Sequence, residues 1–413
     1  MNVVVKKFKS RGEITAPPSK SYAHRYLIAA YLSGKKTAVY NAGDSDDVNA
    51  TISCLKSFGA KIEKTENGVL IEKGGVPRGK VICDCGASGS TLRFLMPLAA
   101  ALGVNAEFTG SDKLLSRPIT ELVNVLNAHG AKIDGFTVNG KIDGGVYEIN
   151  ASLSSQYVTG LIFALSATDK ESEIIINGIA ASRSYLDITA DAVTAFGGKI
   201  FKTRSGYLVH GGYDSKIDKI TVEGDWSGAA FPLAIGAVSG EVTVKNLILN
   251  SKQGDREIFK IFDKFGVFTK FSNSCATTRK SRMNGVTVDI TDIPDLAQAI
   301  AAVAAFAEGE TKIYPVSRLR LKESDRLDAI VNSLYSVGVK TELNGETLTI
   351  YGGGKLHGAT IRADGDHRTV MAAAVLGAGI EDGVKIIGAE AVSKSYVNFF
   401  ADLNALGCEV LYE

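Results

Sequence analysis

Apolar residues recur at helical spacing in several segments of the chain, and each of these segments ends at a glycine. In the first segment Val48 and Ile52 lie four residues apart, which places them on one face of a helix. The glycine that follows, Gly59, can adopt the left-handed conformation that commonly ends a helix. Two alternating runs come next, within Lys61–Glu72, with Asn67-Gly68 between them. They predict a β-hairpin.

The same pattern of helix, glycine and strand occurs six times, so the chain contains six internal repeats. The six segments read LKSFGAKIE, LNAHGAKID, VTAFGGKIF, FDKFGVFTK, LYSVGVKTE and LNALGCEVL. Their glycines are Gly59, Gly130, Gly197, Gly266, Gly338 and Gly407. Successive glycines are 67 to 72 residues apart, and six units of about 69 residues account for the whole chain. A second Asn-Gly pair, Asn344-Gly345, predicts another hairpin turn in the fifth unit.

Each unit also contains an earlier helix that is rich in alanine and apolar on nearly all sides. These helices read YLIAAYL, LRFLMPLAAALG, YVTGLIFALSA, AAFPLAIGAV, LAQAIAAVAAFA and VMAAAVLGAG. A helix that is apolar all round is expected to be buried in a core. Because a β-rich run follows each of these helices, the unit reads β-α-β-α-β-β.

The two ends of the chain predict a discontinuous domain. The sixth unit stops at CEVLYE, one strand short of a hairpin, and the unmatched N-terminal run NVVVKKF can supply that strand. We therefore predict one domain from residues 1–16 and 225–413 and an inserted domain from residues 17–224, with the active site in the cleft between them. The predicted fold class is α+β, with buried parallel helices and the sheets outside.

Charge and cysteine content narrow the class of protein. The 46 Lys and Arg residues nearly balance the 45 Asp and Glu residues, and a net charge of +1 argues against nucleic acid as a partner. Five scattered cysteines and a start unlike a secretion signal predict a reducing compartment, so we expect a cytoplasmic protein. The most apolar run, Ile300 to Ala307, is too short to span a membrane.

Residues with binding chemistry cluster at the predicted starts of the buried helices, in PPSKSYAHR, CGASGSTLR, SSQ, GDWSG, IPDLAQ and DGDHR. Helix capping alone explains any one of these segments. However, Lys20, Arg25, Arg93 and Arg368 fall near helix starts, where a basic residue opposes the helix dipole unless an anion binds there. The repetition predicts a site for anionic small molecules.

Three further segments between predicted elements carry charged or hydroxyl side chains. SRPIT contains Arg117, SRSYLD contains Ser182 and Tyr185, and the third reads LRLKESDRL. If the third segment is helical, Lys322 and Arg326 share one face. A solvated charged surface is the alternative explanation, but near an anion site such cations bind phosphate or carboxylate.

Several motifs of cofactor and metal chemistry are missing from the sequence. GASGST is not the GxxxxGK[ST] motif of a nucleotide-binding loop, and no GxGxxG follows a strand in a dinucleotide-binding context. The five histidines lack metal-ligand spacing, and no GxSxG predicts a nucleophilic serine. We therefore expect no cofactor, no metal and no covalent nucleophile.

Taken in order, these segments resemble the motifs of the 5-enolpyruvylshikimate-3-phosphate synthases (3-phosphoshikimate 1-carboxyvinyltransferases), the family targeted by glyphosate. The resemblance covers the full length through PSKSYAHR, GASGSTLR and LKESDRL, supported by RPI, SSQ, GDWS, IPD, DHR and the late Lys394. It implies the enolpyruvyl transferase fold, with two domains of three βαβαββ units. It also implies a transferase of the shikimate pathway, which leads to chorismate and the aromatic amino acids.

The resemblance implies two overlapping sets of substrate-binding residues. The set for shikimate 3-phosphate is Lys20, Ser21, Arg25, Ser154, Ser155, Gln156, Ser182, Tyr185, Asp295 and Lys322. The set for phosphoenolpyruvate is Lys20, Gly89, Arg117, Gln156, Arg326, Arg368 and Lys394. At Ala87 and Ser90 the chain departs from many relatives, which have Asn and Thr there, and this implies a pocket of altered size.

The implied reaction adds the 5-hydroxyl of shikimate 3-phosphate to C2 of phosphoenolpyruvate while C3 is protonated, and the adduct then loses phosphate. By resemblance we assign Asp295 to the hydroxyl proton and Glu323, together with Lys20, to the protons at C3. Domain closure over the substrates would exclude water. Both partners are small anions, and we expect a monomer with neither nucleic acid nor membrane as a partner.

Two other functions are open at this point. A UDP-N-acetylglucosamine enolpyruvyl transferase shares the implied fold and phosphoenolpyruvate, but its reactive loop cysteine has no counterpart among the five cysteines of this chain. A non-catalytic repeat scaffold would bind partners along its tandem units. Its charged residues would be spread along one outer face, whereas here they gather at helix starts. LKESDRL favours the shikimate enzyme over both.

Overall fold

The computed structural model describes residues 1–152, 154–178 and 182–413. Its α-helices, in chain order, are α1 (Lys20–Ser33), α2 (Asp46–Ser57), α3 (Gly89–Leu102), α4 (Asp112–Leu115), α5 (Thr120–Ala128), α6 (Ser155–Ser166), α7 (Ser184–Ala195), α8 (Trp226–Ser239), α9 (Ile258–Phe265), α10 (Ala297–Ala304), α11 (Arg326–Ser336), α12 (His367–Gly379) and α13 (Phe399–Ala405).

Short strands alternate with these helices along the chain. They are β1 (Asn2–Val5), β2 (Arg11–Thr15), β3 (Thr37–Tyr40), β4 (Lys61–Thr65), β5 (Gly68–Glu72), β6 (Val81–Asp84), β7 (Ala106–Thr109), β8 (Ala131–Asp134), β9 (Thr137–Gly140), β10 (Val146–Asn150), β11 (Glu171–Asn177), β12 (Gly198–Lys202), β13 (Gly206–Tyr213), β14 (Lys219–Thr221), β15 (Glu241–Lys245), β16 (Phe268–Ser272), β17 (Cys275–Arg279), β18 (Thr287–Asp289), β19 (Gly309–Tyr314), β20 (Lys340–Asn344), β21 (Thr347–Gly352), β22 (Ala359–Arg362), β23 (Val384–Ile387) and β24 (Val410–Tyr412).

In the described part of the chain these strands form six four-stranded sheets with one shared topology. The strand orders are β14-β3-β5-β4, β6-β7-β9-β8, β10-β11-β13-β12, β2-β15-β17-β16, β18-β19-β21-β20 and β22-β23-β1-β24. In each sheet the first pair is parallel and the other two pairs are antiparallel. A parallel pair requires a crossover, and in four of the sheets one buried helix provides it, as α3, α6, α10 and α12 do between the strands on either side of them.

Strands from distant parts of the sequence complete three of the sheets. The N-terminal strand β1 lies between β23 and β24, with Val3 opposite Ile386 on one side and Tyr412 on the other. Strand β2 pairs with β15, and β14 pairs with β3. The strand that precedes α1 therefore joins the sheet that follows α8, and the strand that precedes α8 joins the sheet that follows α1.

The chain divides into two compact units. The discontinuous unit comprises Met1–Pro17 and Glu223–Glu413, and the continuous unit comprises Pro18–Val222. Pro17, Glu223 and Gly224, which the sequence analysis assigns to the inserted domain, group with the discontinuous unit.

Each unit is built around three alanine-rich helices. In the continuous unit these are α1, α3 and α6, and in the discontinuous unit they are α8, α10 and α12. Every residue of α8 is buried, because its apolar side chains cover the whole helix surface. The outer helices are instead buried along one side, as in α9, where Ile258, Ile261, Phe262 and Phe265 face the core. The six-unit α+β architecture predicted from the sequence is confirmed.

The six repeat glycines all have positive φ, from +82° at Gly197 to +102° at Gly130. At Gly338 the N–H donates to the carbonyl of Tyr335 at 3.0 Å, and the next N–H, of Val339, donates to Leu334 at 2.9 Å. These two bonds are the Schellman pattern that satisfies the last carbonyl groups of a helix. The predicted helix ends are confirmed.

The hairpin turns differ by one residue from the predicted Asn-Gly positions. In the first unit the turn residues are Glu66 and Asn67, and Gly68 already belongs to β5. In the fifth unit Asn344 is the last residue of β20, and the turn is Gly345 and Glu346. The alternation of buried and exposed side chains along the strands fixes the register, so the Asn-Gly pair does not occupy both central turn positions.

The cysteines are free thiols, and Cys54, Cys83, Cys85 and Cys408 are buried as expected for small core residues. Within the described residues, no helix has the length and hydropathy needed to cross a membrane.

Candidate active site

The start of α1 carries three of the sequence-predicted residues. Lys20 is the first residue of the helix, and its Nζ lies 2.7 Å from Oδ2 of Asp47 near the start of α2. Both side chains are largely buried, so this ion pair fixes Lys20 more firmly than a surface pair would. Asp47 was not among the predicted site residues, because two aspartates at a helix start are explained by the helix dipole alone.

Arg25 lies one turn further along α1 and connects it to α6 and α7. Its Nε donates to Oγ1 of Thr189 at 2.8 Å, and its Nη2 donates to the carbonyl of Tyr185 at 3.1 Å. Its Nη1 donates to the carbonyl of Ser21 at 2.8 Å. We call Ser21, Arg25, Tyr185 and Thr189 the Arg25 cluster.

Burial lowers the pKa of Arg25 to about 10, while Tyr185 and Tyr22 act in the opposite direction. The guanidinium therefore stays positively charged at neutral pH. Its carbon lies 5.0 Å from the centre of the Phe94 ring and 5.9 Å from that of Tyr185, which stabilises a cation away from water. A buried, fixed guanidinium of this kind suits a phosphate or carboxylate.

A second group forms where α3 and α6 begin. Gln156, near the start of α6, accepts a hydrogen bond at Oε1 from Nη1 of Arg93 at 2.7 Å and donates from Nε2 to Oγ of Ser90 at 3.0 Å. Gly89 opens α3, and a β-carbon built on it would lie 2.7 Å from Nη1 of Arg117. We call Gly89, Ser90, Arg93, Arg117 and Gln156 the Gln156 cluster.

The predicted serines also lie at helix starts. Ser154 is the N-cap of α6, and its Oγ accepts from the N–H of Gln156 at 3.2 Å. Ser155 is the first residue of the same helix and is buried. Ser182 is buried and has φ of +58°, which a residue other than glycine or asparagine seldom adopts. Such local strain is typical of functional positions.

In the discontinuous unit one carboxylate meets three cations. Asp295 lies in a short 3-10 turn, Pro294–Leu296, that leads into α10. Its Oδ1 is 2.8 Å from Nη1 of Arg326 and 3.2 Å from Nζ of Lys322. Its Oδ2 is 3.2 Å from Nη2 of Arg368, and its backbone carbonyl accepts from Nη1 of the same residue at 2.9 Å.

These contacts determine the charge of the carboxyl group. Burial opposes ionisation of Asp295, but Arg368, Lys322 and Arg326 together outweigh it and hold its pKa well below the ordinary value. Burial also lowers the pKa of Lys322, and Asp295 opposes that effect. Asp295 is therefore a carboxylate at neutral pH.

Arg326 joins the remaining acidic residues to this group. Its Nη2 is 2.5 Å from Oε2 of Glu323, and its Nε is 2.9 Å from Oδ2 of Asp366. Asp366 is the N-cap of α12 and accepts from the N–H of Arg368 at 2.9 Å. The Asp295 cluster thus contains three carboxylates and three cations, which are Asp295, Glu323, Asp366, Lys322, Arg326 and Arg368.

The sequence expectation that Lys322 and Arg326 share one helix face required the LKESDRL segment to be helical throughout. The segment is not helical throughout. The 3-10 helix Ser317–Leu321 ends before Lys322, whose backbone is extended, and α11 begins only at Arg326. Asp325 caps α11, and that cap places the helix start after Lys322. The two cations nevertheless meet at Asp295, because the extended backbone turns Lys322 toward it.

Lys394 lies at the end of a 3-10 helix, and its Nζ donates to the carbonyl of Gly365 at 2.8 Å, next to Asp366.

Among the described residues, no three histidine, cysteine or carboxylate side chains are grouped as metal ligands. Each unit thus brings its own predicted residues together. The named cations of the continuous unit, Lys20, Arg25, Arg93 and Arg117, outnumber their acidic partner Asp47.

Asp47 and Asp366 form ion pairs with predicted site residues but were not themselves predicted from the sequence. Both are acids at helix starts, a common position for capping residues, so their position alone did not distinguish them from ordinary caps. An acid four or fewer residues from a predicted anion-binding cation is the signal that could have identified Asp366, which lies in DGDHR beside Arg368.

Comparison with known proteins finds one family over nearly the entire chain. The family model of EPSP synthase (3-phosphoshikimate 1-carboxyvinyltransferase) matches residues 5–403. The 3-phosphoshikimate 1-carboxyvinyltransferase of Clostridium kluyveri is 37% identical over 97% of this chain and 96% of its own length. The protein of the same name from Methanocaldococcus jannaschii is 36% identical over 99% of this chain and 98% of its own length.

Solved structures share the fold at lower sequence identity. The EPSP synthase of Acinetobacter baumannii superposes with a TM-score of 0.83 at 23% identity, over 100% of this chain and 99% of that one. The enolpyruvyl transferase NikO of Streptomyces tendae gives a TM-score of 0.78 at 15% identity, over 99% of this chain and 98% of that one. These likenesses concern the fold alone, and they agree with the fold predicted from the repeats.

Proposed function

The chain belongs to the EPSP synthase (3-phosphoshikimate 1-carboxyvinyltransferase) family, and we propose that it transfers the enolpyruvyl group of phosphoenolpyruvate to the 5-hydroxyl of shikimate 3-phosphate. The observation that carries this proposal is the Asp295 cluster, in which a carboxylate able to take a proton lies among three cations able to bind an anion. The relatives that match over their full length are named 3-phosphoshikimate 1-carboxyvinyltransferase. This similarity does not favour a UDP-N-acetylglucosamine enolpyruvyl transferase or a non-catalytic scaffold.

The reaction balances as an addition followed by an elimination. The 5-hydroxyl oxygen forms a bond to C2 of phosphoenolpyruvate and gives up its proton, while the double-bond electrons take a proton at C3. The C2–O bond to phosphate then breaks, and C3 loses a proton as the double bond forms again. Phosphate leaves, so the protein must stabilise anionic groups and move protons in both directions.

Shikimate 3-phosphate is the proposed ligand of the Arg25 cluster and the serines near α6 and α7. The residues proposed to bind it are Lys20, Ser21, Arg25, Ser154, Ser155, Gln156, Ser182, Tyr185, Asp295 and Lys322. Arg25 supports this assignment because its guanidinium stays charged and is held by the Thr189 hydroxyl and by two backbone carbonyls, those of Ser21 and Tyr185.

Phosphoenolpyruvate is the proposed ligand of the Gln156 cluster and of the cations in the other unit. The residues proposed to bind it are Lys20, Gly89, Arg117, Gln156, Arg326, Arg368 and Lys394. The lack of a side chain at Gly89 supports this assignment, because it lets the Arg117 guanidinium approach the N-terminus of α3. A helix N-terminus and a guanidinium together attract phosphate.

Asp295 is the proposed acceptor of the hydroxyl proton, and substrate binding makes it a stronger base. Arg368, Lys322 and Arg326 hold the pKa of Asp295 low. When the carboxylate of phosphoenolpyruvate binds Arg326 and Arg368, its negative charge offsets part of their effect, so the pKa of Asp295 rises. The base thus gains proton affinity when the substrate is in place.

The protons at C3 are proposed to involve Glu323 and Lys20. Glu323 is held by Arg326, and Lys20 is held by Asp47, so each lies at a fixed position within its own unit. The proposed partners are the two small anions alone. We also propose that the protein is a cytoplasmic monomer, and its five free cysteines support a reducing compartment.

The decisive experiment measures phosphate release from phosphoenolpyruvate with shikimate 3-phosphate as acceptor and, separately, with UDP-N-acetylglucosamine. We expect release with shikimate 3-phosphate only. Asp295→Asn should lower turnover by about 10²–10⁴-fold, which is the usual contribution of a general base. Asp263→Asn, at an exposed position on α9, is the control and should leave turnover unchanged. Release with UDP-N-acetylglucosamine alone, or near-normal turnover of folded Asp295→Asn, contradicts the proposal.

A further inference from the structure

We propose that Arg93 is a positioning residue for phosphoenolpyruvate, acting through Gln156 and the Arg117–Pro118 turn. The sequence predicted Arg93 as an anion ligand because it lies in the first turn of α3. Its contacts in the structure are instead with protein groups that flank the proposed phosphoenolpyruvate site. The inference rests on the proposed function of the Gln156 cluster and adds a residue to which neither of the two predicted ligand sets assigns a role.

Arg93 is only 4% exposed and holds two acceptors. Its Nη1 donates to Oε1 of Gln156 at 2.7 Å, and its Nη2 donates to the carbonyl of Pro118 at 3.2 Å. Its guanidinium carbon lies 5.6 Å from the centre of the Tyr157 ring, so the aromatic face also stabilises the buried charge. A short bond between a cation and an amide oxygen is among the stronger hydrogen bonds in proteins.

The bond to Gln156 fixes which way its side-chain amide points. A guanidinium can only donate, so the amide oxygen must face Arg93. The amide nitrogen then faces Ser90, to which it donates at 3.0 Å. Without Arg93 the amide could rotate and exchange its donor and acceptor ends, and a substrate anion that needs the donor would bind less well.

The bond to Pro118 fixes the backbone next to Arg117. The same carbonyl accepts from the hydroxyl of Tyr157 at 2.6 Å, so two donors hold this peptide group. A β-carbon built on Gly89 would lie 2.7 Å from Nη1 of Arg117 and 3.3 Å from Nη1 of Arg93, so both guanidinium groups lie close to Gly89. Arg93 therefore borders each phosphoenolpyruvate residue proposed in the cluster.

The contacts predict a larger effect on phosphoenolpyruvate than on shikimate 3-phosphate. Arg93 holds Gln156, which belongs to both proposed substrate sets, and it also holds the turn beside Arg117, which belongs to the phosphoenolpyruvate set alone. Replacing Arg93 should raise KM for phosphoenolpyruvate by roughly tenfold or more, as expected for the loss of a charged hydrogen bond. KM for shikimate 3-phosphate should rise by a smaller factor, because only the Gln156 contact is shared with that substrate.

The test uses the full chain with Arg93→Lys and Arg93→Gln, each also made in a Gln156→Ala background. Steady-state kinetics gives both KM values, and calorimetry gives the affinity for phosphoenolpyruvate in the presence of shikimate 3-phosphate. Circular dichroism checks that each variant is folded, and Arg93→Lys keeps the buried charge if Arg93→Gln does not fold. Arg25→Lys is the matched control, since it alters a buried arginine whose expected effect falls on shikimate 3-phosphate instead.

We expect the Lys variant to show a smaller loss than Gln, and we expect both losses to shrink in the Gln156→Ala background. Equal changes in the two KM values, or none, overturn the proposal. A loss that persists in full without the Gln156 amide also overturns it, because orientation of that amide would then not be a route by which Arg93 acts. If the wild-type chain binds phosphoenolpyruvate but releases no phosphate, the proposed function fails, and the measured affinities still decide the role of Arg93.

Discussion

Asp255 is a buried carboxyl group in the 3-10 helix Gly254–Glu257, which leads into α9, and the charges of Asp295 and Arg368 act on it. Its Oδ2 accepts from the hydroxyl of Ser227, while its Oδ1 is buried without a hydrogen-bond partner. Burial raises the pKa of Asp255 to about 7, and repulsion by Asp295 adds to that effect, while Arg368 opposes it. The folded state therefore retains a proton that the unfolded chain releases.

This difference makes stability depend on pH in a defined direction. Between the ordinary value of 3.8 and about 7 the folded state holds more protons than the unfolded state, so stability falls as pH rises. Asp255→Asn cannot ionise and should remove this fall. We expect the variant to match the wild type near pH 4 and to exceed it by about 1–4 kcal/mol at pH 8, measured by denaturant unfolding.

The control for this experiment is Asp263→Asn on the exposed side of α9, which should leave the pH dependence of unfolding unchanged. An Asp255→Asn variant that unfolds with the wild-type pH dependence would mean that Asp255 is not the group whose proton is retained.

Among residues at helix starts, the sequence distinguished basic residues more readily than acidic ones. Lys20, Arg25 and Arg368 stood out because a basic residue at a helix start is unfavourable without an anion. Asp47 and Asp255 did not stand out, because an acid in the same position is favourable on its own and needs no partner. The opposite difficulty arose for Arg93, whose position predicted an anion although its contacts are with Gln156 and Pro118.

Among the helices and strands, the sequence predicted the helix ends best, since the glycine after a helix must adopt the left-handed conformation there. Gly34 and Gly59 follow α1 and α2 in the same unit, with φ of +71° and +92°. Their surroundings differ. A β-carbon at Gly34 would meet nothing within 4 Å, whereas one at Gly59 would lie 2.0 Å from the carbonyl oxygen of Gly75.

Alanine at these two glycines should separate backbone strain from steric overlap. Gly34→Ala should lower the free energy of unfolding by about 1–2 kcal/mol, the usual cost of a left-handed conformation for a residue with a β-carbon. Gly59→Ala adds an overlap with backbone that cannot rotate away, so it should cost about 3 kcal/mol or more. Both are measured by denaturant unfolding, and equal losses would show that strain alone matters at Gly59.

Strand pairing was harder to predict than strand position. The Asn-Gly pairs located both hairpins but misplaced each turn by one residue, because register depends on which side chains the core buries. The predicted domain bounds place β2 in the discontinuous domain and β14 in the inserted one, but they do not identify the partner strands. Each strand precedes a buried helix, and the local sequence does not say which of two similar sheets it joins.

At the scale of the whole molecule, the first strand of the chain holds the last sheet together. Strand β1 is paired on both sides, with β23 and β24, and the side chains of Val3 and Val5 are fully buried. The N-terminus is therefore part of the core of the discontinuous unit, even though the continuous unit, Pro18–Val222, separates it in sequence from the rest of that unit. Stability of that unit depends on residues at opposite ends of the sequence.

Val5→Ala should therefore destabilise the discontinuous unit, although the strands that Val5 pairs with lie at the other end of the sequence. Loss of two buried methyl groups should cost about 2–3 kcal/mol. The single tryptophan of the chain, Trp226, is buried in α8 of the discontinuous unit, so its fluorescence reports on unfolding there. We expect the fluorescence transition to move to lower denaturant concentration.

Val39→Ala is the matched control, because Val39 is equally buried in β3 of the continuous unit and is likewise paired on both sides. Hydrogen exchange of the two units gives the second measurement. Val5→Ala should speed exchange in β23 and β24, and Val39→Ala should speed it in β5 and β14. If Val5→Ala instead accelerated exchange in β3 and β5 and left Trp226 unchanged, the N-terminal strand would not stabilise the sheet in which it lies. If both variants shifted every strand alike, the two units would unfold as one, and chain connectivity rather than sheet membership would set the stability.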